Sequence, residues 1–173
     1  MSKAEINALL TKTARGDNAA FEKLYIVTRK GVFSFLYTYL RNYADAEDAM
    51  QTVYLKIKRG IASYQAGTNG SAWILQIAKN HALNELKKRR QAPVTDDTES
   101  VAKEPVYSME TGVMQTMNRV LSEEEQRIVT LHVLWGYKHR EIGALLACPT
   151  GTVTSKYKRA IEKLRKALKE EER

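Results

Sequence analysis

The sequence predicts an all-α protein, built as two small helical domains joined by a flexible linker. Three observations lead there. Three prolines and nine glycines are spread over 173 residues, and apolar residues recur at three- and four-residue spacing while period-two alternation is weak throughout. A polar, acidic stretch with Pro93 and Pro105 separates two such helical regions. The chain closes on an amphipathic helix, a short break at Cys148–Pro149–Thr150 and a basic helix, which is the layout of a helix-turn-helix.

The elements follow in order. Phe21, Leu24, Tyr25, Val32, Phe35, Leu36, Tyr39 and Leu40 keep helical spacing through Ala19–Leu40. A break is expected at Arg41–Ala44, with Asp45 as cap of the next helix and Glu47 and Asp48 in its first turn. The buried stripe of that helix is Ala46, Ala49, Met50, Val53 and Ile57. A polar loop, Tyr64–Gly70, precedes a helix capped by Ser71. There Ile74, Ile77, Ala78, Ala82 and Leu86 share one face, and Gln76, Asn80, Asn84 and Lys87 share the other. Gln91–Thr111 reads as the linker. Helix resumes at Val113, Met114, Met117, Val120 and Leu121, and Ser122 with Glu125 forms a capping box before Gln126–Trp135. Gly136 suits the end of that helix. The domain boundaries so drawn are 1–90, 91–111 and 112–173.

Charge is distributed in blocks. The chain carries 28 Lys+Arg against 20 Asp+Glu, a net +8. Residues 76–91 hold Lys79, Lys87, Lys88, Arg89 and Arg90 against Glu85, and 151–173 hold eight cations against four acids, each block +4. Residues 93–111 hold Asp96, Asp97, Glu99, Glu104 and Glu110 against Lys103, a net −4. Basic blocks of this size fit a polyanionic partner, nucleic acid first, or a solvated basic face. The acidic stretch fits a solubilising tether.

Several classes of function find no support. One cysteine, Cys148, permits no internal disulfide and fits a reducing compartment. No apolar run reaches the ~20 residues of a membrane span, and MSKAEINALLTKTARGD lacks a signal-peptide core. The chain therefore reads as cytoplasmic, without direct membrane insertion. His81, His132 and His139 fall at no zinc-ligand spacing with Cys148. There is neither a Gly-rich phosphate loop nor a nucleophile motif. No catalysis, metal or cofactor is expected.

Four segments carry a resemblance: GDNAAFEKLY (16–25), DAEDAMQTVYLKI (45–57), AWILQIAKNHALNELKKRR (72–90) and REIGALLACPTGTVTSKYKRA (140–160). In this order and spacing they resemble the bacterial extracytoplasmic-function sigma factors, the promoter-specificity subunits of RNA polymerase. The resemblance covers nearly the whole chain outside the acidic stretch. It implies a sigma region 2-like domain that binds the polymerase clamp and opens and reads the −10 element. It also implies a sigma region 4-like domain that reads the −35 element and binds the polymerase flap. An anti-sigma factor is a further partner that it implies.

The resemblance places Asp45, Asp48 and Gln51 on the polymerase-binding helix, where Asp48 and Gln51 are displayed together at i, i+3. It places Asn80, Asn84, Lys87, Lys88 and Arg89 on promoter DNA. An Asn amide offers donor and acceptor to a base edge, and the cations suit phosphates. The Tyr64–Gly70 loop would capture a flipped base, while Trp73 suits either stacking on unpaired DNA or the core. Thr154, Ser155, Lys158 and Arg159 would meet the −35 element. Asn84 departs from the family's usual Asp, and Thr154 from its usual Arg or Lys. Two rival readings are a helix-turn-helix regulator with a helical sensor or dimerisation domain, and an RNA-binding module. The first accounts for neither the Asp48/Gln51 helix nor the basic 72–90 helix, and the second lacks an aromatic platform on strands.

Overall fold

The computed structural model describes residues 2–91 and 109–171, with side chains from 112 onward in the second stretch. The chain divides into two compact units, Met1–Lys103 and Glu104–Arg173. Among the described residues every regular element is helical.

The first unit contains α1 (Lys3–Ala14), α2 (Asn18–Leu40), α3 (Tyr43–Gly60), a 3-10 turn at Ile61–Ser63, and α4 (Gly70–Gln91). Each α-helix start has a side chain that takes an otherwise orphaned backbone N–H. Ser2 accepts from Glu5 N, Asp17 from Ala20 N and Asn42 from Asp45 N, all at 3.0 Å. α2 stops because Arg41 turns left-handed (φ 58°), and the extended Asn42 behind it presents its amide oxygen to the new helix. Asn42 is thus the cap of α3, and Asp45, expected in that role, sits one turn inside. The expected cap of α4 is corrected likewise. Asn69 accepts from Ala72 N at 3.1 Å, while Ser71 is buried and its hydroxyl donates to Asn69 Oδ1 at 2.8 Å.

Packing follows the apolar stripes. α2 contacts α1, α3 and α4, and α3 and α4 contact each other. Leu24, Val32, Phe35, Leu36, Ala46, Val53, Ile57, Ile74, Leu75, Ala78 and Ala82 are all fully buried. Each large side chain among them contributes ~1.5–3 kcal/mol of transfer free energy. One buried polar link crosses this core, Thr28 Oγ1 to Tyr54 Oη at 2.6 Å. The Tyr54 hydroxyl is held well above its ordinary titration range, by burial first.

Gln91 is the last residue of α4, and Met109–Thr111 already belong to the next helix. The 91–111 segment therefore includes helix at both ends, and the acidic residues between them lie outside the described residues.

The second unit contains α5 (Met109–Val120), α6 (Glu123–Val133), α7 (His139–Leu146) and α8 (Thr150–Glu171). α6 begins with the expected capping box. Ser122 accepts from Glu125 N at 3.3 Å, and Ser122 N donates to Glu125 Oε2 at 2.9 Å. It ends two residues earlier than expected, leaving Trp135 as a buried core residue beyond the helix and Gly136 left-handed (φ 66°). The turn of the helix-turn-helix pivots on Ala147 (φ 53°), and Thr150 already opens α8. Gly143 makes this turn tight: a Cβ there would lie 2.6 Å from the Cys148 carbonyl oxygen.

Glu125 ties α6 to α8. Lys163 Nζ donates to both of its carboxylate oxygens at 2.9 Å. Burial raises the carboxyl, but the Lys163 bond and charge and the Ser122 N–H outweigh it and hold it below 4.5. A depressed folded value stabilises the fold above pH 4.5, and that contribution fades as pH falls through the folded value. In calorimetric melts, Glu125→Gln is expected to lower Tm at pH 7 and to flatten its decline below pH 4.5. An unchanged pH profile would remove Glu125 from the acid response.

Candidate nucleic-acid interface

Three exposed faces gather the residues of interest, two on the first unit and one on the second. On α4, Gln76, Asn80, Asn84 and Lys87 are all exposed, opposite the buried Ile74, Ala78 and Ala82. Gln76 Nε2 donates to Asn80 Oδ1 at 2.8 Å, which orients the Asn80 amide and leaves its NH₂ turned to solvent or a ligand. Lys88 Nζ lies 3.0 Å from Glu85, and this hydrogen bond is the first cause of the Glu85 carboxyl's low titration. Arg89 is paired as well: its guanidinium lies 2.7 Å from Asp45 Oδ2 on α3. Asp45, expected to bind polymerase, and Arg89, expected to bind phosphate, thus meet each other.

Beside this face lies a cleft of ≈ 570 Å³ lined by Thr52, Lys56, His81, Asn84, Lys87 and Lys88, among others. His81 is 7% exposed and its Nδ1 lies 3.2 Å from Lys56 Nζ. Burial first, then the Lys56 charge, keeps its titration below the ordinary histidine range. A neutral ring accepts on Nδ1 from the ammonium, so the cation is aimed into the cleft. Sequence reasoning passed over His81 except as a metal ligand. The signal was its place three residues after Ala78 and one before Ala82, on the buried side of α4.

Trp73 is half-buried, its ring 5.4 Å from that of the buried Tyr64. Tyr64 therefore anchors the loop into the unit, and Gly70 N donates to Asn7 Oδ1 at 2.8 Å at the loop's other end. The residues between them are exposed.

The α3 face shows Asp48 and Gln51 exposed. Leu55, one turn further along, is 55% exposed and completes an acid–amide–apolar row. Sequence reasoning missed Leu55. Its signal is an apolar side chain off the Val53–Ile57 stripe, and such a residue needs a partner only when it shares a face with polar anchors.

On the second unit, Ser155, Lys158 and Arg159 are exposed along α8, opposite the buried Val153, Ala160 and Leu164. Ser155 Oγ donates to the Gly151 carbonyl at 2.9 Å. Thr154 is half-buried, joined to the Thr150 carbonyl and to His139 Nδ1, each at 3.0 Å. α7 packs across α8 as the first helix of the pair, and Lys156 is paired with Glu124 of α6.

A helical unit with an amide-and-cation helix, followed by a helix-turn-helix unit, defines a two-module DNA-binding protein. The family descriptions agree in both halves: Sigma-70 region 2 matches residues 24–92, and Sigma-70, region 4 matches 113–164. The chain belongs to the sigma-70 family of RNA polymerase sigma factors, and within it to the extracytoplasmic-function type. It is 29% identical to the ECF RNA polymerase sigma-E factor of Escherichia coli, over 89% of each chain. It is 25% identical to the RNA polymerase sigma-H factor of Pseudomonas aeruginosa, over 97% of this chain and 96% of that one. Two solved structures share the fold. CnrH in complex with the cytosolic domain of CnrY has a TM-score of 0.63 at 16% identity, covering 95% of this chain and 97% of that one. The sigma factor RpoE in complex with the anti-sigma factor NepR from Bartonella quintana has 0.62 at 20%, covering 86% and 96%.

Proposed function

We propose that this sigma factor docks on the clamp of core RNA polymerase through Asp45, Asp48, Gln51 and Leu55 of α3. Asn80 and Asn84 of α4 read bases of the −10 element, while Lys87, Lys88 and Arg89 hold its phosphates. Thr154, Ser155, Lys158 and Arg159 of α8 meet the −35 element in the major groove. Val133 and Leu134, exposed where α6 ends, supply an apolar contact for the flap. The chain directs promoter-specific initiation and is not itself an enzyme. Supporting this reading is one observation above the rest: regions 2 and 4 occur in order, and each carries an exposed polar face on the helix where base reading is needed.

An anti-sigma factor is a second partner in this reading, because both structural neighbours above are held in complexes and one of those partners is itself an anti-sigma factor. Among the described residues no helix is long and apolar enough to cross a membrane. The cytoplasm, where polymerase works, is the proposed location.

Run-off transcription tests the whole. Core polymerase with this chain is expected to start at a small set of promoters and without it at none of them. Random starts in both cases would overturn the reading. Lys158→Ala and Arg159→Ala then divide the α8 contacts. A base contact is expected to lose ~1–3 kcal/mol and to relax preference at one −35 position. A phosphate contact is expected to weaken all promoters evenly. Full transcription by both variants on a −35 mutant set would take α8 out of the reader role.

A further inference from the structure

His139 opens α7 in a triangle of rings, 5.0 Å from His132 and 5.0 Å from Tyr157, with His132 and Tyr157 4.6 Å apart. Across the turn its Nδ1 lies 3.0 Å from Thr154 Oγ1. That hydroxyl also donates to the Thr150 carbonyl at 3.0 Å. A hydroxyl has one proton and two acceptor sites. With that proton in the Thr150 bond, the bond to His139 runs the other way, from Nδ1–H to Oγ1. His139 Nε2 is then a bare acceptor. It is buried without a hydrogen-bond partner, a state tolerated better by an acceptor than by an N–H. Burial first, then the charges of His132 and Lys158, keeps this ring neutral by lowering its titration.

Thr154 therefore has no proton to offer a base. What remains is one lone pair and the methyl group. Thymine is the base that displays a methyl in the major groove, and a threonine methyl packs against it.

We propose that His139 is a positioning residue that makes Thr154 a methyl reader, selecting thymine at one position of the −35 element. This rests on the proposed placement of α8 in the major groove. His139 occupies the donor capacity of neither partner wastefully: it fills one lone pair of the hydroxyl, holds the side chain in one rotamer, and ties the reader helix to the helix that crosses it.

The test uses holoenzyme assembled from the full chain and core polymerase. A duplex library randomised over the −35 segment is selected, and the enriched duplex is remade with deoxyuridine for each thymine in turn. Uracil keeps every hydrogen-bonding group of thymine and lacks the methyl. At one position uracil is expected to weaken binding about fourfold, the size of one buried methyl. Thr154→Ser is expected to abolish that sensitivity, and Thr154→Val, which keeps a γ-methyl and is held in one helical rotamer by its own branching where Thr needs the His139 bond, is expected to retain it whatever its overall affinity. His139→Phe keeps a ring without the donor and is expected to reduce it. His139→Asn places an amide nitrogen where Nδ1 was and is expected to restore it. Thermal melts report whether the His139 variants fold. If they do not, the two Thr154 variants decide the methyl reading, and the imidazole 15N shifts of His139 in the unaltered chain, which separate Nδ1–H from Nε2–H, decide the positioning: a proton on Nε2 overturns it.

Uracil without effect at every thymine overturns the inference. So does a sensitive Thr154→Ser or an insensitive Thr154→Val. Enrichment of a −35 sequence without uracil sensitivity sinks the methyl reading alone, whereas no enrichment at all sinks base reading by α8 and this inference with it.

Discussion

Exchanging Asp48 for Arg together with Gln51 for Ala is expected to abolish co-purification of the chain with core RNA polymerase. Both side chains are exposed on α3, opposite Ala46, Ala49 and Val53. Arg and Ala are better helix formers than Asp and Gln, or as good, so helix content is expected to hold. The loss would then belong to the interface. Reversing a charge against a cationic partner replaces attraction with repulsion and costs several kcal/mol, on the order of a thousandfold in affinity. Leu55→Ala is expected to add about tenfold by stripping the apolar member of the row. Co-purification at the wild-type level, with unchanged circular dichroism, would remove α3 from the docking surface.

The −10 face is expected to show the second large effect. Asn80→Ala and Asn84→Ala should each slow promoter opening by a factor set by ~1–3 kcal/mol per base contact, and leave core binding intact. Stability should change little, because Asn80 loses one exposed bond to Gln76 and Asn84 is exposed. The loss should depend on sequence, with one −10 position becoming permissive in each variant. Lys88→Ala is the contrast. It should weaken all promoters alike and reduce the salt dependence, partly offset because Lys88 leaves its bond to Glu85 when it meets a phosphate. Permanganate footprints across −10 variants read both. Wild-type opening on every promoter by both Asn variants would move specificity to the Tyr64–Gly70 loop.

What could be read from the sequence was what local pattern controls. The α3 stripe of Ala46, Ala49, Met50, Val53 and Ile57 is buried as its spacing implies, and the Ser122–Glu125 box closes as its spacing implies. Helix starts were harder. Asn42 and Asn69 cap where Asp45 and Ser71 were expected, because a cap depends on where the previous element lets the backbone turn. At α3 that was set by a left-handed Arg41, a conformation that composition does not announce. The exposed faces of α4 and α8 were legible as the complement of their stripes. Their pairings were not. Asp45 with Arg89, Lys56 with His81 and Thr154 with His139 join separate helices, and no periodicity within one helix encodes them.

If Asp45 meets polymerase and Arg89 meets phosphate, as proposed, the Asp45–Arg89 bridge couples the two partners of the first unit. Polymerase that draws Asp45 away leaves Arg89 available to phosphate, and phosphate that draws Arg89 away leaves Asp45 available to polymerase. Linkage makes the effect reciprocal: each partner raises the affinity for the other by one common factor. An exposed pair of this kind is worth ~0.2–1 kcal/mol, so that factor is about 1.4 to 5. It is a small bias, and it vanishes in concentrated salt. On that reading the bias has one direction: the free chain is the form least ready for DNA.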